Sequence, residues 1–115
     1  MGGSTVTGGS ATVGSMPTRV VLLNVGGRVF ATSRSTLEKY PESLLAKLIS
    51  DNPPEDLCYL DGVIFLDRNP DCFASVLQWM RYEELPELVT VSLVKDAAFY
   101  GLEDLERQLL EIQQF

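Results

Sequence analysis

The chain has 115 residues, with nine basic and sixteen acidic side chains, no histidine and a formal net charge of -7. This length predicts one domain, and a hydrophobic share of 45% is normal for a folded protein and too high for a disordered one. The acidic balance argues against nucleic acid or an anionic membrane as a partner, and no apolar run approaches the roughly 18 residues of a membrane span.

The two cysteines, Cys58 and Cys72, are too few for a disulfide scaffold or a four-ligand zinc site, so we expect neither metal nor cofactor. Both thiols are expected to be buried and structural. No secretory signal is visible, so a reducing, cytoplasmic compartment is the default. Without histidine there is no Ser-His or Cys-His pair, and the sequence predicts a protein that is not an enzyme and has no small-molecule substrate.

The N-terminal residues 1–16 carry no charge and no hydrophobic period, which predicts a flexible leader or an expression remnant. We therefore expect the domain at residues 17–113. Two apolar stretches follow, residues 19–25 and 28–32, joined by Gly26-Gly27. Two strands joined by two glycines predict a β-hairpin with a primed turn, because both central residues of such a turn need positive φ.

Two short helices are predicted next. Ser35-Thr36-Leu37-Glu38 is a capping-box pattern, so a helix is expected to start there and to end before Pro41. Residues 42–49 carry aliphatic side chains at helical spacing and predict a second helix. Residues 51–56 contain two prolines and three acidic residues, and this composition predicts a loop.

A strand and a longer helix follow the loop. Asp61-Gly62 is a turn pair that opens a short apolar strand at residues 63–66. Asn69 is the expected N-cap, with Pro70 at the first helical position, where its missing N–H costs nothing. The helix that they begin has an apolar face formed by Phe73, Val76, Leu77 and Met80.

Two more helices complete the expected fold. Residues 91–100 predict one, with Gly101 as its left-handed C-terminal cap, and residues 102–112 predict an amphipathic last helix. Strands and helices do not alternate regularly, so a small α+β domain is expected. It has a small sheet, built from the N-terminal hairpin and a third strand, packed with five or six helices.

Four segments carry a resemblance to a known family. They are Leu23-Asn24-Val25-Gly26-Gly27 with Phe30, Ser33-Arg34-Ser35-Thr36-Leu37 ending at Tyr40-Pro41, residues 62–70 with Phe73, and Phe99-Tyr100-Gly101-Leu102. In order and spacing they resemble the tetramerisation subclass of BTB/POZ domains, found in voltage-gated potassium channels and in the soluble potassium channel tetramerisation domain-containing proteins. The similarity runs from about residue 19 to residue 110.

The chain also departs from the family pattern. Asn69 stands where Asp is usual, and Tyr82-Glu83 stands where Thr-Gly is usual. Non-Shaker channel members typically carry an intersubunit zinc site made of one His and three Cys near the end of the domain, whereas this chain has no His and neither Cys lies in such a cluster. The resemblance therefore favours the soluble branch.

The resemblance implies a homo-oligomer, a tetramer or pentamer, closed into a ring by heterologous contacts. Charged side chains serve in such contacts because opposite charges fix register. The candidate interface residues are Arg28, Arg34, Asp67, Arg68, Asp71 and Arg81. For each of them the alternative is a solvated surface charge, and Asp67 and Arg68 have the further alternative of an internal salt bridge.

Many soluble members act as substrate adaptors for cullin-3 ubiquitin ligases, and the resemblance implies this role here. In the wider BTB group the ligase contacts the second helix and the following loop. By position, the candidate partner-binding residues are Leu48, Ile49, Leu57 and Tyr59, although the apolar stretch 57–60 has the alternative of packing inward. Two rival functions remain open: the cytoplasmic tetramerisation domain of a voltage-gated potassium channel, and a purely structural oligomeriser.

Overall fold

The computed structural model describes residues 19–113, and the leader expected at residues 1–16 lies outside the described residues. The elements in chain order are β1 (Val20–Val25), β2 (Arg28–Ser33), α1 (Arg34–Glu38), α2 (Leu44–Leu48), β3 (Cys58–Leu60), β4 (Val63–Leu66), α3 (Pro70–Tyr82), α4 (Val91–Phe99) and α5 (Glu103–Gln113). Four strands and five helices over these residues confirm the α+β class.

The strands form one sheet in the order β2-β1-β4-β3. β1 pairs antiparallel with β2 and parallel with β4, while β3 pairs antiparallel with β4. The sheet therefore has one strand more than expected, because residues 58–60 form a second hairpin with β4. Its turn, Asp61-Gly62, has φ of 53 and 79 at its two residues, as a primed hairpin turn requires.

The predicted Gly26-Gly27 turn is confirmed, with φ of 59 and 102 at the two glycines. The Gly27 N–H donates to Asn24 Oδ1 at 2.8 Å, which closes the turn from within. The Gly26 N–H donates to the Leu66 carbonyl at 2.8 Å, so the turn is docked on the end of β4. This contact brings the first hairpin against the loop that leads into α3.

Side-chain caps define where the helices begin. Asn69 Oδ1 accepts from the N–H groups of Asp71 and Cys72 at 2.7 and 3.2 Å, which confirms the predicted cap of α3. The predicted start of α1 at Ser35 is wrong by two residues, because Ser33 Oγ accepts from the Thr36 N–H at 3.1 Å. Ser33 is the last residue of β2 and has the extended backbone that an N-cap needs.

The C-terminus of α4 confirms the cap predicted at Gly101. Gly101 has φ of 72, and its N–H donates to the Ala98 carbonyl at 3.0 Å. The Leu102 N–H donates to the Ala97 carbonyl at 3.0 Å, which completes a Schellman motif. The chain therefore turns directly from α4 into α5.

The core lies between one face of the sheet and the helices, with α3 at its centre. Leu23 and Val25 of β1 are fully buried, and Phe73 of α3 packs edge-on against the rings of Phe30 and Tyr100, with centroids 5.0 and 5.4 Å apart. The predicted apolar face of α3 is confirmed as core, because Phe73, Val76, Leu77 and Met80 are at most 2% exposed. Among residues 19–113, no helix is both long enough and apolar enough to cross a bilayer.

Candidate protein-interaction surfaces

Arg28 and Asp71 form an ion pair at the turn end of the first hairpin. The Arg28 guanidinium donates to Asp71 Oδ1 at 2.8 Å, and the two side chains are 51% and 82% exposed. Arg28 is the first residue after the glycine turn, and Asp71 lies in the first turn of α3, where a carboxylate is favoured by the helix dipole. An ion pair this exposed contributes little to folding, so both charges remain accessible to a partner.

Arg34 and Arg81 lie beside β2, the strand that begins with Arg28. Arg34 Nε donates to Glu38 Oε2 at 2.8 Å, one turn further along α1. Arg81, in the last turn of α3, donates to the carbonyl of Ala31 in β2 at 2.7 Å. Because β2 is an edge strand, the structure brings three of the predicted interface arginines together along one edge of the sheet.

Arg68 is held inside its own subunit. Its guanidinium donates to Asp96 Oδ1 and lies over the ring of Phe99, with its central carbon 4.1 Å from the ring centroid. The side chain of Arg68 is 31% exposed and that of Asp96 is 7% exposed. The internal salt bridge between Asp67 and Arg68 is therefore not the pair that forms, and Asp67 makes no ion pair with any residue of the described part.

Asp96 is the residue that the sequence interpretation missed. It lies on α4 between Leu93, Ala97 and Tyr100, all buried, so a charged residue on the apolar face of that helix was the available signal. Its Oδ2 atom and the hydroxyl of Tyr100 are buried without a hydrogen-bond partner among residues 19–113. Burial raises the pKa of the Tyr100 hydroxyl well above its usual value, and the nearby Asp96 carboxylate raises it further.

The two cysteines have different surroundings. Cys72 is buried as predicted, whereas the prediction that Cys58 is buried is wrong, because β3 is an exposed edge strand. Burial raises the pKa of the Cys72 thiol, and Asp96 and Asp71 add to this effect. The thiol of Cys72 is therefore kept protonated although it lies in the first turn of α3.

The four candidate partner-binding residues differ in depth. Leu48 is 4% exposed and belongs to the core, so its side chain does not reach the surface. Ile49 and Leu57 are half-buried against the core, and Tyr59 is 59% exposed. Tyr59 pairs with Ile64, which packs on the core, so both side chains lie on the core-facing side of the sheet. Cys58 and Leu60, its neighbours in β3, point to the opposite face.

Metal-binding chemistry has no candidate among residues 19–113, where no group of three or more His, Cys, Asp or Glu side chains is placed to hold an ion. The surfaces described above carry charge and exposed apolar area, through which proteins contact each other.

Comparison with known proteins gives one family. Residues 21–110 match the family model described as the BTB/POZ domain. The chain is 42% identical over 100 residues to SH3KBP1-binding protein 1 of Bos taurus, covering 85% of this chain and 14% of that protein. It is 41% identical over 93 residues to BTB/POZ domain-containing protein KCTD3 of Homo sapiens, covering 79% of this chain and 11% of that protein. It is 38% identical over 90 residues to the Potassium channel regulatory protein of Mus musculus, covering 75% of this chain and 34% of that protein.

Proposed function

The chain belongs to the BTB/POZ domain family, of the potassium channel tetramerisation type, and from this we propose that it closes into a homo-oligomeric ring that serves as an adaptor for a cullin-3 ubiquitin ligase. A domain of this family is a protein–protein interaction module. The ring has four or five subunits, built through one repeated heterologous contact. With this role, the protein is expected to act in the cytoplasm.

One observation supports the docking role: Tyr59 is 59% exposed on a strand at the edge of the sheet. Aromatic side chains that stand out from a surface are enriched among the residues that contribute most to binding. Ile49 and Leu57 are half-buried and pack on the core. We propose that Tyr59, with Ile49 and Leu57, contacts the ligase scaffold.

A ring adds affinity to this contact without any new interaction. Each subunit presents one copy of the Tyr59 surface. When one site of a multivalent partner has bound one copy, its other sites meet the remaining copies at a high effective concentration. A dimeric or multimeric partner therefore binds more tightly than a single scaffold domain does.

The test is a binding titration with the purified N-terminal domain of cullin-3. Tyr59→Ala is expected to weaken binding at least about tenfold, the loss typical of an aromatic residue at the centre of an interface. Tyr82→Ala is the matched control, because Tyr82 is 65% exposed on another part of the surface. Failure of the unmodified chain to bind at high micromolar concentration would remove the adaptor role.

The solution mass tests the ring separately. Light scattering is expected to give four or five times the chain mass of 12.7 kDa. A chain that forms this ring and leaves cullin-3 unbound is a structural oligomeriser.

The relative named Potassium channel regulatory protein favours one further candidate, the cytoplasmic tetramerisation domain of a voltage-gated channel. A reading frame that continues into several apolar spans would favour that candidate.

A further inference from the structure

One edge of the sheet is strongly acidic. Between residues 48 and 67 the sequence has five carboxylates and no lysine or arginine. This stretch includes β3 and β4, and all five carboxylate residues are exposed. We call this surface the acidic edge; its charged residues are Asp51, Glu55, Asp56, Asp61 and Asp67.

The opposite edge is basic. Arg28 and Arg34 stand at the two ends of β2, and Arg81 bonds to the middle of that strand. The Arg34 N–H donates to the carbonyl of Arg19, so a fourth arginine stands at the same end as Arg34. We call this surface the basic edge. Its four arginines face two paired carboxylates, Asp71 and Glu38, which leaves two positive charges in excess.

The acidic edge lacks its counter-charge within the subunit. Asp56, in the turn before β3, and Asp67, directly after β4, both line one cavity of about 280 Å³ at the end of β4. No lysine or arginine among residues 19–113 forms an ion pair with either carboxylate.

From this arrangement we infer that the basic edge of one copy docks on the acidic edge of the next copy. The inference rests on the self-association proposed above and names its two surfaces. Because these surfaces differ and lie at opposite edges of one sheet, each copy uses both of them, and the contact repeats head to tail until the ring closes. Two like edges repel each other, so the charges also exclude the wrong pairing.

Apolar area accompanies the charges on both sides. Leu22 and Val29, on β1 and β2, are 46% and 54% exposed, and Leu60 on β3 is 49% exposed. Their register places them on the face of the sheet that points away from the core, whereas Tyr59 points to the other face. The contact between copies and the proposed ligase contact therefore use different faces of β3.

Two charge-reversed variants test the contact. Arg28→Glu with Arg34→Glu makes the basic edge acidic. Asp56→Lys with Glu55→Lys and Asp67→Lys makes the acidic edge basic, because three lysines then outnumber the two remaining carboxylates, Asp51 and Asp61. Each variant alone then carries two like edges, and its association constant is expected to fall at least about 100-fold. An equimolar mixture is expected to reassemble, because each altered edge now meets an edge of opposite sign.

The mixed ring must alternate the two variants, so only an even number of subunits closes it. If the wild-type ring has four subunits, native mass spectrometry is expected to show equal numbers of each variant; if it has five, it is expected to show open chains that contain both variants. The charge-matched controls are Lys47→Glu with Arg107→Glu, and Glu42→Lys with Glu87→Lys and Glu111→Lys, all exposed positions outside the two edges. Both controls are expected to keep the wild-type mass, and circular dichroism verifies that every variant is folded.

Alkylation of Cys58 gives a second measurement. Cys58 is exposed on the acidic edge of the single subunit, and a docked neighbour covers it. In wild-type rings its alkylation is expected to be at least about tenfold slower than in the Arg28→Glu, Arg34→Glu variant, whose substitutions lie at the other edge of the sheet. Only a contact between copies connects these two edges.

The outcomes separate the two proposals. A wild-type chain that stays monomeric at every concentration overturns the proposed ring, and this inference falls with it. A wild-type ring whose charge-reversed variants keep their native mass, or whose variant mixture stays monomeric, overturns the assigned edges and leaves the ring standing.

Discussion

Arg68, in the loop between β4 and α3, pairs with the buried carboxylate of Asp96 on α4. The pair ties the end of the sheet to a helix 28 residues away in sequence. Its guanidinium also covers the ring of Phe99, so the side chain packs as well as bonds. Arg68 is therefore first a residue of the fold, whatever contact its exposed part makes.

We expect Arg68→Met to lower the free energy of unfolding by about 3 kcal/mol, because it leaves the buried Asp96 carboxylate without its counter-charge. The double variant Arg68→Met, Asp96→Asn is expected to recover part of this loss. Arg107→Met, which removes an exposed arginine paired with Asp104, is the control and is expected to change stability by less than about 0.5 kcal/mol. Urea unfolding measures all three, and an equal effect of Arg68→Met and Arg107→Met would contradict the structural role.

Gly26 is expected to tolerate no side chain. It has φ of +59, and a Cβ atom there would stand 2.3 Å from the Arg68 carbonyl oxygen. Gly26→Ala is expected to lower the free energy of unfolding by about 2–4 kcal/mol, from left-handed backbone strain together with overpacking. Gly62→Ala is the control, since Gly62 has φ of +79 and open space around it, and it is expected to cost only about 1 kcal/mol. Equal losses for the two variants would show that the contact with Arg68 has no effect.

Glu83 ends α3 in a left-handed conformation, with φ of 57, at the position where the family usually has glycine. Glu83→Gly is expected to raise the free energy of unfolding by about 0.5–1 kcal/mol, because glycine adopts this conformation without steric strain. Glu84→Gly, at the next position, is expected to lower it, because Glu84 is not among the positive-φ residues of the described part. Thermal unfolding followed by circular dichroism distinguishes the two; a loss of stability for Glu83→Gly would contradict this account.

Tyr100 makes the stability depend on alkaline pH. Its pKa is raised in the folded state above its usual value of about 10, chiefly by burial. Below about pH 10 the Tyr100 hydroxyl is neutral in both states, so its titration does not lower the stability. The stability falls as the pH rises beyond 10, where the unfolded chain ionises first. Tyr100→Phe is expected to flatten the fall in stability above pH 10.

The same substitution acts at neutral pH. The Tyr100 hydroxyl is buried without a partner among residues 19–113, so Tyr100→Phe is expected to raise the free energy of unfolding by about 1 kcal/mol at pH 7. Tyr82→Phe, at an exposed position, is the control and is expected to leave both the stability and its pH dependence nearly unchanged. Urea unfolding between pH 7 and 11 provides the measurement. Identical pH profiles of stability for wild type and Tyr100→Phe would exclude Tyr100 as the cause of the loss above pH 10.

The features that sequence predicts well here are local ones. The Gly26-Gly27 turn, the Asn69 cap and the Gly101 cap each depend on residues that are close together in the chain. The apolar face of α3 follows from helical spacing alone. Such features are specified by short-range sterics and hydrogen bonding, so a residue pattern is sufficient to identify them.

The features that sequence reasoning missed depend on distant contacts. β3 has only three residues, all exposed, and it has strand geometry because it pairs with β4. The Asp61-Gly62 turn alone could have predicted that hairpin. The prolines and acidic residues of the preceding loop favoured irregular structure instead. The partner of Arg68 and the burial of Leu48 depend on how the helices pack, which no local pattern encodes.

The parallel pairing of β1 with β4 has a consequence for how the chain folds. Each hairpin forms from neighbouring residues, whereas the pairing of Leu23 with Ile64 must close the long stretch that contains β2, α1, α2 and β3. Loop-closure entropy makes the pairing of β1 with β4 slower to form than either hairpin. We therefore expect the two hairpins to assemble early and independently, and the rate of folding to be set by the moment at which they join.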